Sequence, residues 1–98
     1  MKGKIRVSAQ VEDFIKSLAP KPRRRIRLAI KGLDQGRGDI KRLEGSLQPF
    51  SRLRVAGYRI IYAERTERGM RVVDCVFAEA RPLVYELFIK LLSEDAMT

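Results

Sequence analysis

Two alternating runs, residues 50–55 and 58–62, are separated only by Ala56-Gly57, and no other feature restricts the fold of this chain so tightly. A two-residue loop between alternating segments predicts an antiparallel hairpin and fixes its register, so that Arg54 falls opposite Arg59. Arg52 shares their face. Leu53, Val55, Tyr58 and Ile60 take the other face and point into a core. Like charges directly opposed across a ladder are destabilising, which points to an anionic partner for Arg52, Arg54 and Arg59. A solvated surface and a protein-binding face are the plainer alternatives.

Composition agrees with an anionic partner. The chain has 98 residues, room for one small domain over 1–98 with one modest core. Its 21 Lys+Arg against 12 Asp+Glu give a formal charge of +9, which suits nucleic acid, an acidic protein or a membrane surface. An apolar fraction of 45% is too high for a disordered basic tail.

Absences narrow the chemistry. With no histidine, a Ser-His triad, an imidazole general base and most zinc catalytic sites are excluded. Cys75 is the one cysteine, so there is no internal disulfide and no thiolate metal cluster. Within the apolar run 72–77 it reads as a small core residue. No carboxylate cluster has metal-ligand spacing, and the expectation is a protein with neither metal nor cofactor. No apolar stretch approaches a membrane span and the amino terminus lacks a signal-peptide core, so a cytoplasmic protein is expected.

The elements follow from periodicity. Residues 4–7 alternate as a first strand. Val11, Phe14, Ile15 and Leu18 have helical spacing behind a capping Ser8, and Pro20 and Pro22 break that helix. A second helix opens on Pro22 with Ile26, Ala29, Ile30 and Leu33 on its apolar stripe and ends at Gly36-Arg37-Gly38. A polar loop leads into the hairpin, residues 66–69 make a turn, and 70–78 form the last strand. Pro82 opens a final helix with Val84, Leu87, Phe88 and Leu91 on one face. The predicted fold is α+β, strand-helix-helix-strand-strand-strand-helix, an antiparallel-dominated sheet with a helical hairpin on one face.

This order, the segment Lys41-Arg42-Leu43-Glu44-Gly45, the strand Arg52-Leu53-Arg54, the strand Gly57-Tyr58-Arg59-Ile60-Ile61-Tyr62 and the segment from Arg81 to Tyr85 together resemble the RelE/ParE superfamily of toxins from toxin–antitoxin modules. The resemblance covers nearly the whole chain. It implies a RelE-like fold, a cognate antitoxin partner, and one of two activities: metal-independent cleavage of ribosome-bound messenger RNA (RelE type) or inhibition of DNA gyrase (ParE type). For the RelE type it implies attack of a ribose 2′-hydroxyl on the adjacent phosphate, with cations at the pentavalent centre. Carried over by position, the catalytic set is Arg52, Arg54, Arg59, Arg81 and Tyr85. The guanidinium groups bind phosphate, and Tyr85 stacks on a base or exchanges a proton, unless it simply packs on Phe88.

Other residues carry open readings. Glu79 and Ala80 stand where several RelE-type members have a basic residue or histidine; Glu79 is then either a proton acceptor or an ion-pair partner of Arg81. Glu44 is expected to pair with Lys41 or Arg42, with a general-base role as the lesser alternative. Arg23, Arg24 and Arg27 on the second helix, with Arg25 and Lys31, are candidates for nucleic-acid binding or a solvated basic face. The leading expectation is a RelE-type endoribonuclease acting with ribosome and messenger RNA; a gyrase inhibitor and a catalytically degenerate RNA- or antitoxin-binding module are the alternatives.

Overall fold

The computed structural model describes residues 3–80 and 84–97. Their order is β1 (Lys4–Val7), α1 (Ala9–Lys16), α2 (Pro20–Gly32), β2 (Asp39–Arg42), β3 (Ser51–Val55), β4 (Tyr58–Glu67), β5 (Met70–Ala80) and α3 (Val84–Met97). Ser8 starts α1 as its sequence position suggests: its Oγ accepts from the Val11 amide at 3.2 Å and donates to the Val76 carbonyl at 3.1 Å. One side chain thus caps the helix and ties it to β5. α2 begins on Pro20, where a missing amide costs the helix nothing. A further turn, Leu33–Gln35, follows α2 and is closed by Gly36 in the left-handed conformation.

The strands form one sheet in the order β1-β5-β4-β3-β2, with β1 parallel to β5 and the other neighbours antiparallel. The hairpin has the register that its two-residue turn dictates, Arg54 opposite Arg59 and Val55 opposite Tyr58. Leu53, Val55 and Ile60 are buried and Tyr58 packs at their margin, in a core shared with Val11 and Ile15 of α1 and Ile26 and Ile30 of α2. The helical hairpin therefore covers one face, as predicted.

The opposite face is covered as well. Leu43, Ile61, Phe77 and Phe88 make a second buried cluster beneath α3, where one modest core is expected from chain length. Phe88 meets Phe50 edge to face at 4.9 Å and lies 5.9 Å from Phe77. This corrects the expected face of α3. Tyr85, Phe88 and Leu92 pack inward, whereas Leu87 and Leu91 are exposed. A helix rich in Leu, Ile and Phe offers two overlapping apolar stripes, and the aromatic contacts to Phe50 and Phe77 select one. The expected helix start at Pro82 lies outside the described residues.

A second correction is β2, which stands where a polar loop is predicted. Its one apolar residue, Ile40, pairs with Leu53 and packs against the first core; Asp39, Lys41 and Arg42 give no alternating pattern to detect. Charged residues on an edge strand also discourage pairing with other chains. β4 and β5 run longer than the alternation suggests, to Glu67 and Ala80, because ladder hydrogen bonds continue past the buried stretch. Among the described residues no helix is long and apolar enough to cross a membrane.

Candidate nucleic-acid interface

The face of the sheet that α3 crosses carries two rungs of side chains. On the first, Asp39, Arg54, Arg59 and Glu79 follow one another across β2, β3, β4 and β5. On the second, the order is Lys41, Arg52, Ile61 and Phe77. The opposed arginines of the first rung thus have a carboxylate outside each of them. Opposite charges across a ladder are favourable, so the row is balanced within the sheet and does not by itself require an anion.

The arginines differ in access. Arg52 Nη2 donates to Asp39 Oδ1 at 3.1 Å, and its side chain is 14% exposed, with Nε lacking any acceptor among the described residues. Arg54 Nε lies 3.9 Å from Asp39 Oδ2 with its side chain 48% exposed. Arg59 is 3% exposed, and its Nη1 donates to the carbonyls of Tyr58 at 3.0 Å and Ala56 at 3.4 Å. Arg59 therefore clamps the hairpin turn from within.

Further positive charge is accessible along β2, where Lys41 belongs to the second rung and Arg42 pairs with Ser51. Lys41 and Arg42 are exposed at the edge of the sheet, and among the described residues neither lies within 4.0 Å of a carboxylate. Tyr85, half-buried on α3 against the second cluster, lines a depression of ≈ 290 Å³ with Lys41, Arg42, Leu43, Glu44 and Leu47. Of the residues read from the sequence, the structure joins Arg52 and Arg54 through Asp39, buries Arg59 beside them and sets Tyr85 next to Lys41 and Arg42. Arg81 lies outside the described residues, and so does any pairing of it with Glu79. Glu79 Oε1 accepts from the Ala80 amide at 3.0 Å. Glu44 is exposed and makes no ion pair with Lys41 or Arg42, contrary to expectation. Sequence reasoning passes over Lys41 and Arg42 as site residues because their strand is not recognisable; the signal available is their place directly before Leu43, which enters the second cluster.

The basic helix divides in the same manner. Arg23 Nη2 donates to the carbonyls of Leu18 at 2.9 Å and Lys16 at 3.4 Å and so finishes the carboxyl end of α1. Arg27 Nη2 bonds Glu12 Oε1 at 2.8 Å, and that hydrogen bond holds the Glu12 carboxyl below the usual range. Arg24 remains exposed, together with Lys21, Arg25 and Lys31. Cys75 is buried, and desolvation pushes its thiol up to about 12, far from a neutral-pH nucleophile.

This architecture is the RelE-like fold. A RelE–RelB complex from Pyrococcus horikoshii OT3 contains a chain 21% identical to this one, with a TM-score of 0.60 over 84% of this chain and 98% of that one. A YoeB/ParE toxin from Agrobacterium tumefaciens gives 15% identity and a TM-score of 0.66 over 80% and 98%. A RelB–RelE antitoxin–toxin complex from Methanococcus jannaschii gives 20% and 0.60 over 85% and 98%. At such identities the likeness is one of fold. No protein-family model matches the chain, and no curated protein sequence matches it.

Proposed function

We propose that this protein is the toxin of a toxin–antitoxin module, held inactive by a cognate antitoxin, and that it cleaves ribosome-bound messenger RNA without a metal ion. The observation that supports the reading best is the grouping of Lys41 and Arg42 beside Tyr85, with Arg52 opposite Lys41 on the neighbouring strand, on the fold of the RelE toxins. Cleavage by a 2′-hydroxyl needs cations at the phosphate and an aromatic or proton-exchanging group nearby, and charge held in place before the reaction usually lowers the barrier most. These side chains supply that set.

A second reading, inhibition of DNA gyrase without cutting, is favoured by the burial of Arg59 and the sharing of Asp39 between Arg52 and Arg54, which leave the arginine row little free charge. Inducing the protein in cells and mapping transcript ends by primer extension divides the two. The nuclease reading expects arrested translation and cut transcripts, with cleavage by the purified protein unaffected when free metal is chelated under conditions that keep ribosomes intact. DNA damage with intact transcripts establishes the gyrase reading instead.

A further inference from the structure

We propose that Glu44 is the proton acceptor for the attacking ribose hydroxyl, in a trough that seats one nucleotide on each side of it. The inference rests on the nuclease reading above and adds the catalytic base that reading lacks. Two depressions have Arg42, Leu43 and Glu44 in common as lining residues. One, of ≈ 290 Å³, continues to Lys41 and Tyr85. The other, of ≈ 320 Å³, continues to Gln48, Pro49 and Phe50. Each is near the lower bound of roughly 300 Å³ for pockets that take small ligands.

Each half has an aromatic wall held from behind: Tyr85 packs on the second cluster, and Phe50 is braced edge to face by Phe88. Bases stack on such walls whatever their identity. A chain spanning both halves brings its linking phosphate over the shared segment, where Arg42 and the adjacent Lys41 meet the non-bridging oxygens. Glu44 is the one carboxylate among the described residues that lines either half. Asp39 is engaged by Arg52 and Arg54, and Glu79 lies on the first rung away from the trough.

The step balances within this group. Glu44 takes the 2′-hydroxyl proton as the 2′-oxygen bonds to phosphorus, the bond from phosphorus to the 5′-oxygen breaks, and that oxygen takes a proton from the Lys41 ammonium. The products are a 2′,3′-cyclic phosphate and a 5′-hydroxyl; Glu44 then returns its proton to water, and Lys41 recovers one.

The test compares the purified full chain with Glu44→Gln and Glu44→Asp on messenger RNA bound to intact ribosomes. A matched RNA with a 2′-deoxy nucleotide at the cut serves as control. General-base loss is expected to lower kcat about 100-fold or more in Glu44→Gln, with KM within twofold and with partial recovery in Glu44→Asp. Loss of a merely structural or charge-screening side chain moves KM or the unfolding midpoint instead. A cleaving parent together with a Glu44→Gln variant within threefold of its kcat, or a loss confined to KM, overturns the assignment of Glu44. A parent that cuts no RNA at all overturns the nuclease reading, and the inference falls with it.

Discussion

Arg54 and Arg59 stand directly opposite each other across β3 and β4, and the same rung ends in a carboxylate on both sides, Asp39 beyond Arg54 and Glu79 beyond Arg59. Their juxtaposition is part of a charge-alternating row across four strands. Asp39 is its most engaged acid, meeting Arg52 at 3.1 Å and Arg54 at 3.9 Å. Replacing it leaves a mostly buried guanidinium short of a partner.

Asp39→Asn is therefore expected to destabilise the fold by about 1–2 kcal/mol, above the value of an ordinary exposed pair because Arg52 is largely buried. It is also expected to tighten binding to any polyanion. A urea midpoint and a heparin-affinity elution, both at low and high salt, check the two effects. An unchanged midpoint with unchanged elution would show that Asp39 does not balance the row.

Arg59 has a different fate from the one its sequence position suggests. At 3% exposure, with its Nη1 on the turn carbonyls, its truncation to Ala is expected to cost roughly 2–4 kcal/mol of stability. Loss of toxicity in Arg59→Ala then reflects unfolding before chemistry. Thermal unfolding measured beside growth inhibition separates them, and a variant of parental stability would return Arg59 to the accessible site.

The hairpin and its two faces are legible in the sequence because a two-residue turn and strict alternation leave a single register. So is α1, where Ser8 and the stripe from Val11 to Leu18 agree. Access is not legible. Alternation places Arg52, Arg54 and Arg59 on one face but says nothing of how deeply each is buried there, and Arg59 turns back onto the carbonyls of its own hairpin turn. β2 escapes detection for a local reason, since one Ile among charged residues carries no period; with it goes the chance of seeing Lys41 level with Arg52. The register of α3 is ambiguous by composition, because Leu87, Phe88, Leu91 and Leu92 fit two stripes equally.

That ambiguity gives a direct test of α3. Phe88 is 2% exposed and contacts two aromatic rings, so Phe88→Ala is expected to cost about 3–5 kcal/mol. Leu87 is 37% exposed, and Leu87→Ala is expected to cost less than about 1 kcal/mol. Denaturant midpoints of the two variants decide which stripe is inside. A comparably large loss in both variants would restore the face expected from the sequence, which holds Leu87 and Phe88 together.

The buried thiol predicts an alkaline limit to stability. Desolvation raises Cys75 from 9.0 to about 12, so the folded state favours the neutral thiol while the unfolded chain loses its proton first. Its contribution is fully present below pH 9 and is lost as pH rises from about 9 toward 12. Removing the thiol with Cys75→Ala is expected to flatten that fall, although Tyr62, whose hydroxyl burial also raises, keeps part of it. Urea midpoints of both proteins from pH 8 to pH 11 test this, and parallel curves would count against it. At pH 8 the folded parent should also resist a thiol reagent that labels the unfolded chain at once.

On α2 the arginines fall into a structural pair and an exposed set, and the two are separable by salt. Arg27 is committed to Glu12 and Arg23 to the carbonyls that end α1, whereas Arg24 faces solvent without such a partner among the described residues. If the helix meets a phosphate backbone, each contacting cation contributes roughly 0.7–0.9 to the slope of log affinity against log salt. Arg24→Ala is then expected to lower that slope by nearly one contact, and Arg27→Ala to leave it almost unchanged. Arg27→Ala has its own signature. Losing the hydrogen bond at 2.8 Å lets the Glu12 carboxyl rise back toward its ordinary range, and the small stabilisation that the pair gives above that range, lost on acidification, disappears. Titrating Glu12 by NMR in both variants, beside RNA binding at three salt concentrations, reads both effects together. An Arg27→Ala slope that drops as far as that of Arg24→Ala, with Glu12 unmoved, would mean that Arg27 leaves Glu12 for the nucleic acid and that the pairing seen between α1 and α2 does not govern this surface.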